Sequence, residues 1–166
     1  MPPTPGQFFT LRAWGADEAP FLSRPISVHK WDAETQTVEF LYAVVGEGTR
    51  KLTALKKGDS FQLTGPMGNG FDVADILSKY QKIAVVGGGI GTAPMYQLTR
   101  ELAAGGVKPD VFFGFRDKPT AWKSTAPSRA SSRCPPTPAQ WVSTVSSPSC
   151  MTRRITMWCW CAAPRS

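Results

Sequence analysis

Apolar and polar residues alternate in short segments along the first part of the chain, which is the pattern of half-buried β-strands. Turn-forming residues, mainly Gly, Pro, Asp and Asn, separate these segments. Closely spaced strands of this kind predict an antiparallel barrel or sandwich. The predicted strands are 7–14, 24–30, 37–45 and 60–64.

The hydrophobic period changes after residue 80. Residues 82–86 (KIAVV) indicate a short buried strand, residues 93–104 (APMYQLTRELAA) a helix and residues 111–115 (VFFGF) a second strand. A loop of sequence GGGIG joins the first strand to the helix. This β-loop-α-β unit predicts the beginning of a parallel α/β sheet. With one such unit, the sheet is expected to leave one face uncovered.

The C-terminal part differs in composition from the rest. Residues 124–166 contain no Gly, Leu, Phe, Tyr, Lys, Asp or Glu, and their five arginines supply most of the net charge of +7. We therefore predict a β domain over 1–78, the start of an α/β domain over 79–123 and a disordered Ser/Pro-rich tail over 124–166. The scattered arginines, without a recognition motif, argue against a nucleic-acid partner. No apolar run approaches the roughly 20 residues of a membrane-spanning helix.

A shifted reading frame is the interpretation that we favour for the origin of the tail over 124–166. Residues 157–164 (MWCWCAAP) can be encoded so that a shift of one base gives DVVLVCGP, a buried strand followed by a turn. The same shift turns 141–156 into a plausible loop and helix. The break would lie near 123–129. The alternative is a natural disordered tail, which fits poorly with three tryptophans and four cysteines.

Four short motifs are candidates for ligand binding. RPIS at 24–27 offers an arginine for a pyrophosphate and a serine for a ring nitrogen or carbonyl, although an ordinary edge strand explains it as well. GEGT at 46–49 offers backbone N–H groups and a hydroxyl for phosphate oxygens, or is a hairpin turn. GPMGNGF at 65–71 is interpreted as a linker between the domains.

The fourth motif is the glycine loop at 87–91, which lies between a strand and a helix. Glycines there let a phosphate approach the backbone at a helix N-terminus. The loop departs from the G-x-G-x-x-G fingerprint because Thr92 stands at its last glycine position. No acidic residue lies at the distance expected for a ribose contact. A tight structural turn is therefore an equally good interpretation.

The order RPIS, LYAVVGEGT, GPMGNGF, GGGIGTAPM and FFGFR resembles the ferredoxin reductase-like superfamily, and more closely the electron-transfer subunits of bacterial dihydroorotate dehydrogenase. The likeness runs from residue 5 to about residue 122. It implies a barrel that binds FAD and an α/β domain that binds NAD(H). It also implies a [2Fe-2S] cluster that passes electrons to a catalytic dihydroorotate dehydrogenase subunit in a cytoplasmic heterotetramer of pyrimidine biosynthesis.

The resemblance also assigns residues to the cofactors. Arg24 would lie toward the FAD phosphates, Ser27 near the isoalloxazine, and Tyr42 would pack on the flavin. The protein would position the cofactors, with no catalytic side chain, and the single histidine, His29, is expected at the strand surface. The full sets are Arg24, Pro25, Ile26, Ser27, Leu41, Tyr42, Ala43, Gly48 and Thr49 for FAD, and Gly87, Gly88, Gly89, Gly91, Thr92 and Arg116 for NAD.

Two features depart from the family pattern. An opening strand is expected before PGQF at 5–8, and without it the barrel would have an exposed edge. The cysteines, separated by 16, 9 and 2 residues, do not fit the C-x4-C-x2-C cluster pattern, so no metal ligands are expected in this chain. An inactive truncated or frameshifted fragment, or a reductase subunit with another acceptor, therefore stay as alternatives. The cysteines are Cys134, Cys150, Cys159 and Cys161.

Overall fold

A computed structural model describes residues 1–114 in full and the backbone of 140–146 and 154–160. The chain forms eight strands, three helices and one 3-10 turn in these segments. In chain order they are β1 (Phe8–Arg12), β2 (Arg24–Asp32), β3 (Thr37–Ala43), α1 (Glu47–Thr53), β4 (Gln62–Met67), α2 (Val73–Lys79), β5 (Ala84–Gly88), the 3-10 turn (Gly89–Thr92), α3 (Met95–Ala104), β6 (Asp110–Gly114), β7 (Gln140–Ser146) and β8 (Arg154–Trp160).

The first four strands pair antiparallel with one another within a six-stranded sheet of order β4-β1-β2-β3-β8-β7. Alternate residues of these strands point into one core, where the most deeply buried side chains are at most 2% exposed. The Phe9 and Phe40 rings meet edge to face at 5.7 Å, an arrangement that aromatic pairs favour. The β domain and its four predicted strands are confirmed. The core residues include Phe9, Leu11, Val28, Val38 and Phe40.

A change of register between β2 and β3 explains an irregularity in the burial pattern. Val28 pairs with Phe40, but Lys30 pairs with Glu39, so β2 carries one extra residue at this point. The bulge shifts the alternation, and Val28 and Trp31 are both buried although they are three residues apart. The Lys30 ammonium lies 3.0 Å from the Glu39 carboxylate across the pair.

Two short helices were not predicted from the sequence. Helix α1 begins where a turn or hairpin was expected, and helix α2 follows the expected linker. Asp72 accepts the backbone N–H of Asp75 at 2.9 Å, which caps α2. Lys79 and Asp75 form an ion pair one turn apart at 2.7 Å. Both helices have seven residues, too few for a hydrophobic period to be visible.

The α/β unit agrees with its prediction. Strands β5 and β6 are parallel, and α3 covers one face, where Val85, Leu98 and Leu102 form a small core. On the opposite face Val86 and Phe112 are paired across the strands and are 68% and 57% exposed. One helix covers one face of the sheet, as predicted. No helix in the described ranges is long and apolar enough to span a membrane.

Two segments of the tail differ from the prediction of disorder. Strand β8 pairs in parallel with β3, and β7 pairs antiparallel with β8. Both segments are rich in β-branched and aromatic residues (QWVSTVS and RITMWCW), which favour strands. The outer edge of β3 is therefore paired. The break predicted near 123–129 lies outside the described residues.

Candidate functional site

The RPIS and GEGT motifs, 22 residues apart in sequence, meet in space. Arg24 begins β2 and Gly48 lies in the first turn of α1. A Cβ atom at position 48 would lie 3.0 Å from Cδ of Arg24 and 3.1 Å from the Trp14 ring. The Arg24 side chain therefore crosses directly over the backbone of Gly48, and a side chain at position 48 would force Arg24 and Trp14 to shift. The Arg24 guanidinium donates to the Leu22 carbonyl at 2.6 Å and 3.1 Å.

The Thr49 hydroxyl has a structural role in this loop. It donates to the Gly46 carbonyl at 2.9 Å and accepts the N–H groups of Val45 and Gly46, each at 3.1 Å. Thr49 is 7% exposed. The hydroxyl is thus used to close the turn that begins α1, and the expectation that Thr49 holds a phosphate oxygen stays a prediction. Thr49 shapes the loop that presents Gly48.

The predicted flavin residues of β2 and β3 divide between two faces of the sheet. Ile26 and Tyr42 belong to the core, at 8% and 2% exposure. Alternation directs the Tyr42 ring inward, and the expectation that this ring packs on a flavin stays a prediction. The outer face carries Ser27, Leu41 and Ala43, and Leu41 is 8% exposed there. Pro25, next to Arg24, is exposed.

The glycine loop continues β5 into the 3-10 turn. The Thr92 hydroxyl donates to the Gly89 carbonyl at 2.9 Å and so closes the turn, and its expected contact with a nucleotide stays a prediction. A Cβ at Gly87 would lie 3.2 Å from Cα of Thr92 and 3.3 Å from Cγ of Met95. Gly89 adopts a φ of +52°. Gly87 and Gly89 are therefore explained by the fold itself.

Three other glycines have no such explanation. At Gly88, Gly91 and Gly114 a Cβ atom would meet nothing within 4 Å, and none of the three has a positive φ. Gly88 and Gly114 are paired at the C-terminal ends of β5 and β6, the edge where α/β sheets bind ligands. Open glycines at this edge allow a ligand to approach the backbone. Gly114 was not predicted as a site residue, although a glycine inside the apolar segment VFFGF was a signal.

The uncovered face of the two-stranded sheet forms an open groove beside these glycines. Its volume is about 500 Å³, and it is lined by 86–88 and 110–114. Arg116, the remaining predicted nucleotide residue, lies outside the described residues. No group of three or more acidic, histidine or cysteine residues capable of holding a metal occurs in the described part of the chain. Three of the four cysteines lie outside that part and Cys159 is described only by its backbone, so the expected lack of cluster ligands stays a prediction.

The β domain and the α/β unit are joined through β2 and α3. His29 Nδ1 lies 2.7 Å from the Ala93 carbonyl oxygen, and the His29 ring stacks on Tyr96 with centroids 4.7 Å apart. The Trp31 N–H donates to Oε1 of Gln97 at 2.9 Å in a buried position. His29 is half-buried at this junction, which corrects its expected surface position. Sequence patterns within either segment carried no signal for this contact.

Burial lowers the pKa of His29 below its usual value of 6.5, and the hydrogen bond to Ala93 opposes this effect only in part. The neighbouring charges are Glu39 on β3, which raises the pKa, and Lys30 on β2, which lowers it. From α3, Tyr96 contacts the ring, and the Arg100 guanidinium lies 5.8 Å from the Tyr96 centroid. At pH 7 the imidazole is neutral, and Nδ1–H donates to the carbonyl because a carbonyl can only accept.

We expect the stability of the protein to fall as the pH is lowered below about 6.5. The unfolded chain binds a proton at His29 more readily than the folded chain does, so this stability is complete above pH 6.5 and is lost toward the depressed folded pKa. Urea unfolding between pH 5 and 8 measures it. His29 is the only histidine, so His29→Phe should flatten the profile. An equal pH dependence in both proteins would contradict the assignment.

Comparison with known proteins agrees with the motif resemblance. The chain is 50% identical over 112 residues to the dihydroorotate dehydrogenase B (NAD(+)) electron transfer subunit of Clostridium acetobutylicum, covering 68% of this chain and 42% of that protein. It is 40% identical over 115 residues to the subunit of Fusobacterium nucleatum, covering 69% and 44%. For the Enterococcus faecalis subunit the identity is 38% over 118 residues, covering 71% and 44%. No protein-family model matches the chain.

A solved structure shows the same relationship. A chain from the study of the NADH-dependent reduced ferredoxin-NADP oxidoreductase, described for flavin-based electron bifurcation, aligns with a TM-score of 0.57 and 29% identity. The alignment covers 70% of this chain and 40% of that one. The resemblance to ferredoxin reductase-like electron-transfer proteins is therefore confirmed. The chain spans less than half the length of the relatives it matches.

Proposed function

We propose, from its kinship with these electron-transfer subunits, that this chain forms the FAD-binding and NAD(H)-binding part of a subunit that serves dihydroorotate oxidation. The observation that carries the proposal is the passage of the Arg24 side chain over Gly48. Two motifs distant in sequence thereby place a cation beside the first turn of a helix, and a cation is what a pyrophosphate requires. Bound FAD would supply the hydride and one-electron chemistry, while the protein supplies position and charge.

The residues of this chain then have separate tasks. Arg24 would neutralise the pyrophosphate, and Gly48 would leave room for the Arg24 side chain beside α1. Ser27 would offer its hydroxyl to a polar edge of the flavin from the outer face of β2, and the buried Leu41 would support that face by its packing. Thr49, Ile26 and Tyr42 would act indirectly, through the shape of the loop and the core.

We place the nicotinamide nucleotide at the C-terminal edge of β5 and β6. The support is that Gly88, Gly91 and Gly114 are glycines that the fold itself does not need. A side chain at any of them would obstruct a ligand close to the backbone. Gly87, Gly89 and Thr92 would hold the loop in shape beneath it, and we propose that Arg116 contacts the nucleotide. The family's [2Fe-2S] cluster is assigned no ligands in this chain.

A catalytic dihydroorotate dehydrogenase subunit in a cytoplasmic heterotetramer is the proposed partner. A related reductase complex with another acceptor is the second candidate, favoured by the likeness to the ferredoxin-NADP oxidoreductase chain. Co-purification with a dihydroorotate-oxidising protein separates the two. An inactive, frameshifted fragment is the third candidate. The coding DNA of residues 115–166, translated in all frames, tests it, because an adjacent frame encoding DVVLVCGP would identify the shift.

Titration of the protein with FAD, followed by quenching of the flavin fluorescence, tests the proposal. Gly48→Ala is expected to weaken FAD binding about 5- to 30-fold, because overpacking of 1–2 kcal/mol arises where Cβ meets Arg24 and Trp14. Gly46→Ala is the matched control, since a Cβ at Gly46 meets nothing within 4 Å. Absence of FAD binding by the unmodified chain, or equal affinities of the two variants, would contradict the proposal.

A further inference from the structure

One side chain connects the flavin strand to the nucleotide loop directly. His29 lies on β2 two residues after Ser27, in the bulge between Val28 and Lys30, and its ring stacks on Tyr96 of α3. Its Nδ1–H donates to the Ala93 carbonyl, 2.7 Å away. Ala93 is the residue that immediately follows the 3-10 turn of the glycine loop. The His29 ring and its one hydrogen bond to Ala93 therefore connect the strand that carries Ser27 to the end of the glycine loop.

The backbone N–H and carbonyl groups of Ala93 both form hydrogen bonds at the end of that turn. Its N–H donates to the Ile90 carbonyl at 3.0 Å, and its carbonyl accepts from His29. Ala93 is 2% exposed, so water does not readily replace His29 as the partner of that carbonyl. A displacement of the His29 ring would therefore displace the end of the glycine loop, because the buried carbonyl must keep a donor.

A second set of contacts holds the rest of α3 on the same strand. The Tyr96 ring stacks on His29 at an interplanar angle of 21°. The Gln97 side chain accepts the Trp31 N–H and donates to the Glu101 carboxylate at 2.6 Å. These contacts position the helix, whereas the contact from His29 to Ala93 reaches the loop itself. The two functions can therefore be separated by substitution.

We propose that His29 is a positioning residue that sets the distance between the flavin strand and the nicotinamide loop. The inference rests on the proposed function and deepens it. His29 contacts neither reacting atoms nor, in this assignment, either cofactor. It holds Ala93, and through Ala93 it holds Gly89–Thr92, at a fixed place above the outer face on which Ser27 lies. In-line approach of two rings depends on such fixed spacing, since misplacement of about 1 Å costs of the order of 100-fold in rate.

Two substitutions separate the hydrogen bond from the ring. His29→Phe keeps an aromatic ring against Tyr96 and removes the donor to Ala93. His29→Asn keeps an N–H donor near the position of Nδ1 and removes the stacked ring. Thr35→Val is the control, because it removes the 3.0 Å hydrogen bond from Thr35 to Thr37 at the far turn of the same β2–β3 hairpin.

Hydrogen exchange of the full chain, measured on the peptide that covers 87–93, gives a readout without any cofactor. His29→Phe is expected to raise the exchange rate of this peptide about 2- to 10-fold, the effect of losing one hydrogen bond. His29→Asn should lie closer to wild type, and Thr35→Val should equal wild type, with the helix 73–79 as internal reference. Wild-type exchange in His29→Phe, or equal increases in both His29 variants, would overturn the assignment to the hydrogen bond.

The second readout tests positioning in the presence of both cofactors. In the FAD-loaded protein, His29→Phe should leave the FAD dissociation constant within twofold of wild type. It should reduce the rate of flavin reduction by NADH at least tenfold and weaken the long-wavelength flavin–nicotinamide absorbance. Unchanged absorbance and rate would overturn the positioning role. If wild type binds no FAD, the proposed function fails and this role with it, while hydrogen exchange still decides whether His29 holds the loop.

Discussion

Replacement of Phe40 by alanine is expected to lower the free energy of unfolding by about 3–5 kcal/mol, the range for a fully buried phenylalanine. Phe40 is 0% exposed at the centre of β3, and its ring meets Phe9 edge to face at 5.7 Å. Val28 is its partner across the strands. No neighbour in a four-strand core of this size can fill the volume that the ring leaves.

Because small domains are stable by about 5–15 kcal/mol, this loss should remove a substantial part of the free energy of unfolding and lower the unfolding temperature of the protein. Chemical unfolding followed by tryptophan fluorescence measures it. Phe112→Ala is the matched control, since the same residue type is 57% exposed on the uncovered face of the α/β unit. We expect a change below about 1 kcal/mol there. Similar losses in the two variants would refute the location of the core.

Replacement of Arg24 by alanine is expected to weaken FAD binding about 10- to 150-fold, the equivalent of 1.5–3 kcal/mol for hydrogen bonds to a charged group. The fold should tolerate the change, because the guanidinium is exposed and its hydrogen bonds within the chain are to the neighbouring Leu22 carbonyl. Arg24 therefore affects the ligand more than the free energy of unfolding. Flavin fluorescence titration and thermal unfolding, made on the same sample, separate the two effects.

Two further variants show whether geometry or charge carries the Arg24 effect. Arg24→Lys keeps the charge but not the planar fork, so it should recover only part of the affinity. Arg50→Ala removes an exposed cation from α1 and should change the affinity less than threefold, since an exposed charge is screened. A loss in Arg50→Ala as large as that in Arg24→Ala would show that general positive charge, and not the Arg24–Gly48 contact, binds the phosphates.

Local patterns were sufficient for most of the fold. Strands β1 to β6 and helix α3 each contain enough alternating or periodic residues to reveal their type, and the uncovered sheet face followed from a single β-α-β unit. Helices α1 and α2 lacked that length. Their remaining signals were the Asp72 cap and the placement of acids in the first turn and bases in the last.

For the candidate site, too, some features followed from the sequence and others did not. Motif order identified the segments that meet, including Arg24 with Gly48. It did not show which face of a strand a residue occupies or which hydroxyl closes a turn. Tyr42 and Ile26 are in the core, and the hydroxyls of Thr49 and Thr92 close turns.

The sequence by itself determined the family resemblance, the two kinds of sheet and the glycine loop, since each depends on neighbouring residues or on the order of short motifs. Only the tertiary structure decided that Arg24 crosses Gly48, that Gly114 joins Gly88 at one sheet edge, and that His29 reaches Ala93. These pairs are 24, 26 and 64 residues apart. Their contact depends on how the sheet and α3 pack, and packing is a property of the whole chain that no local pattern contains.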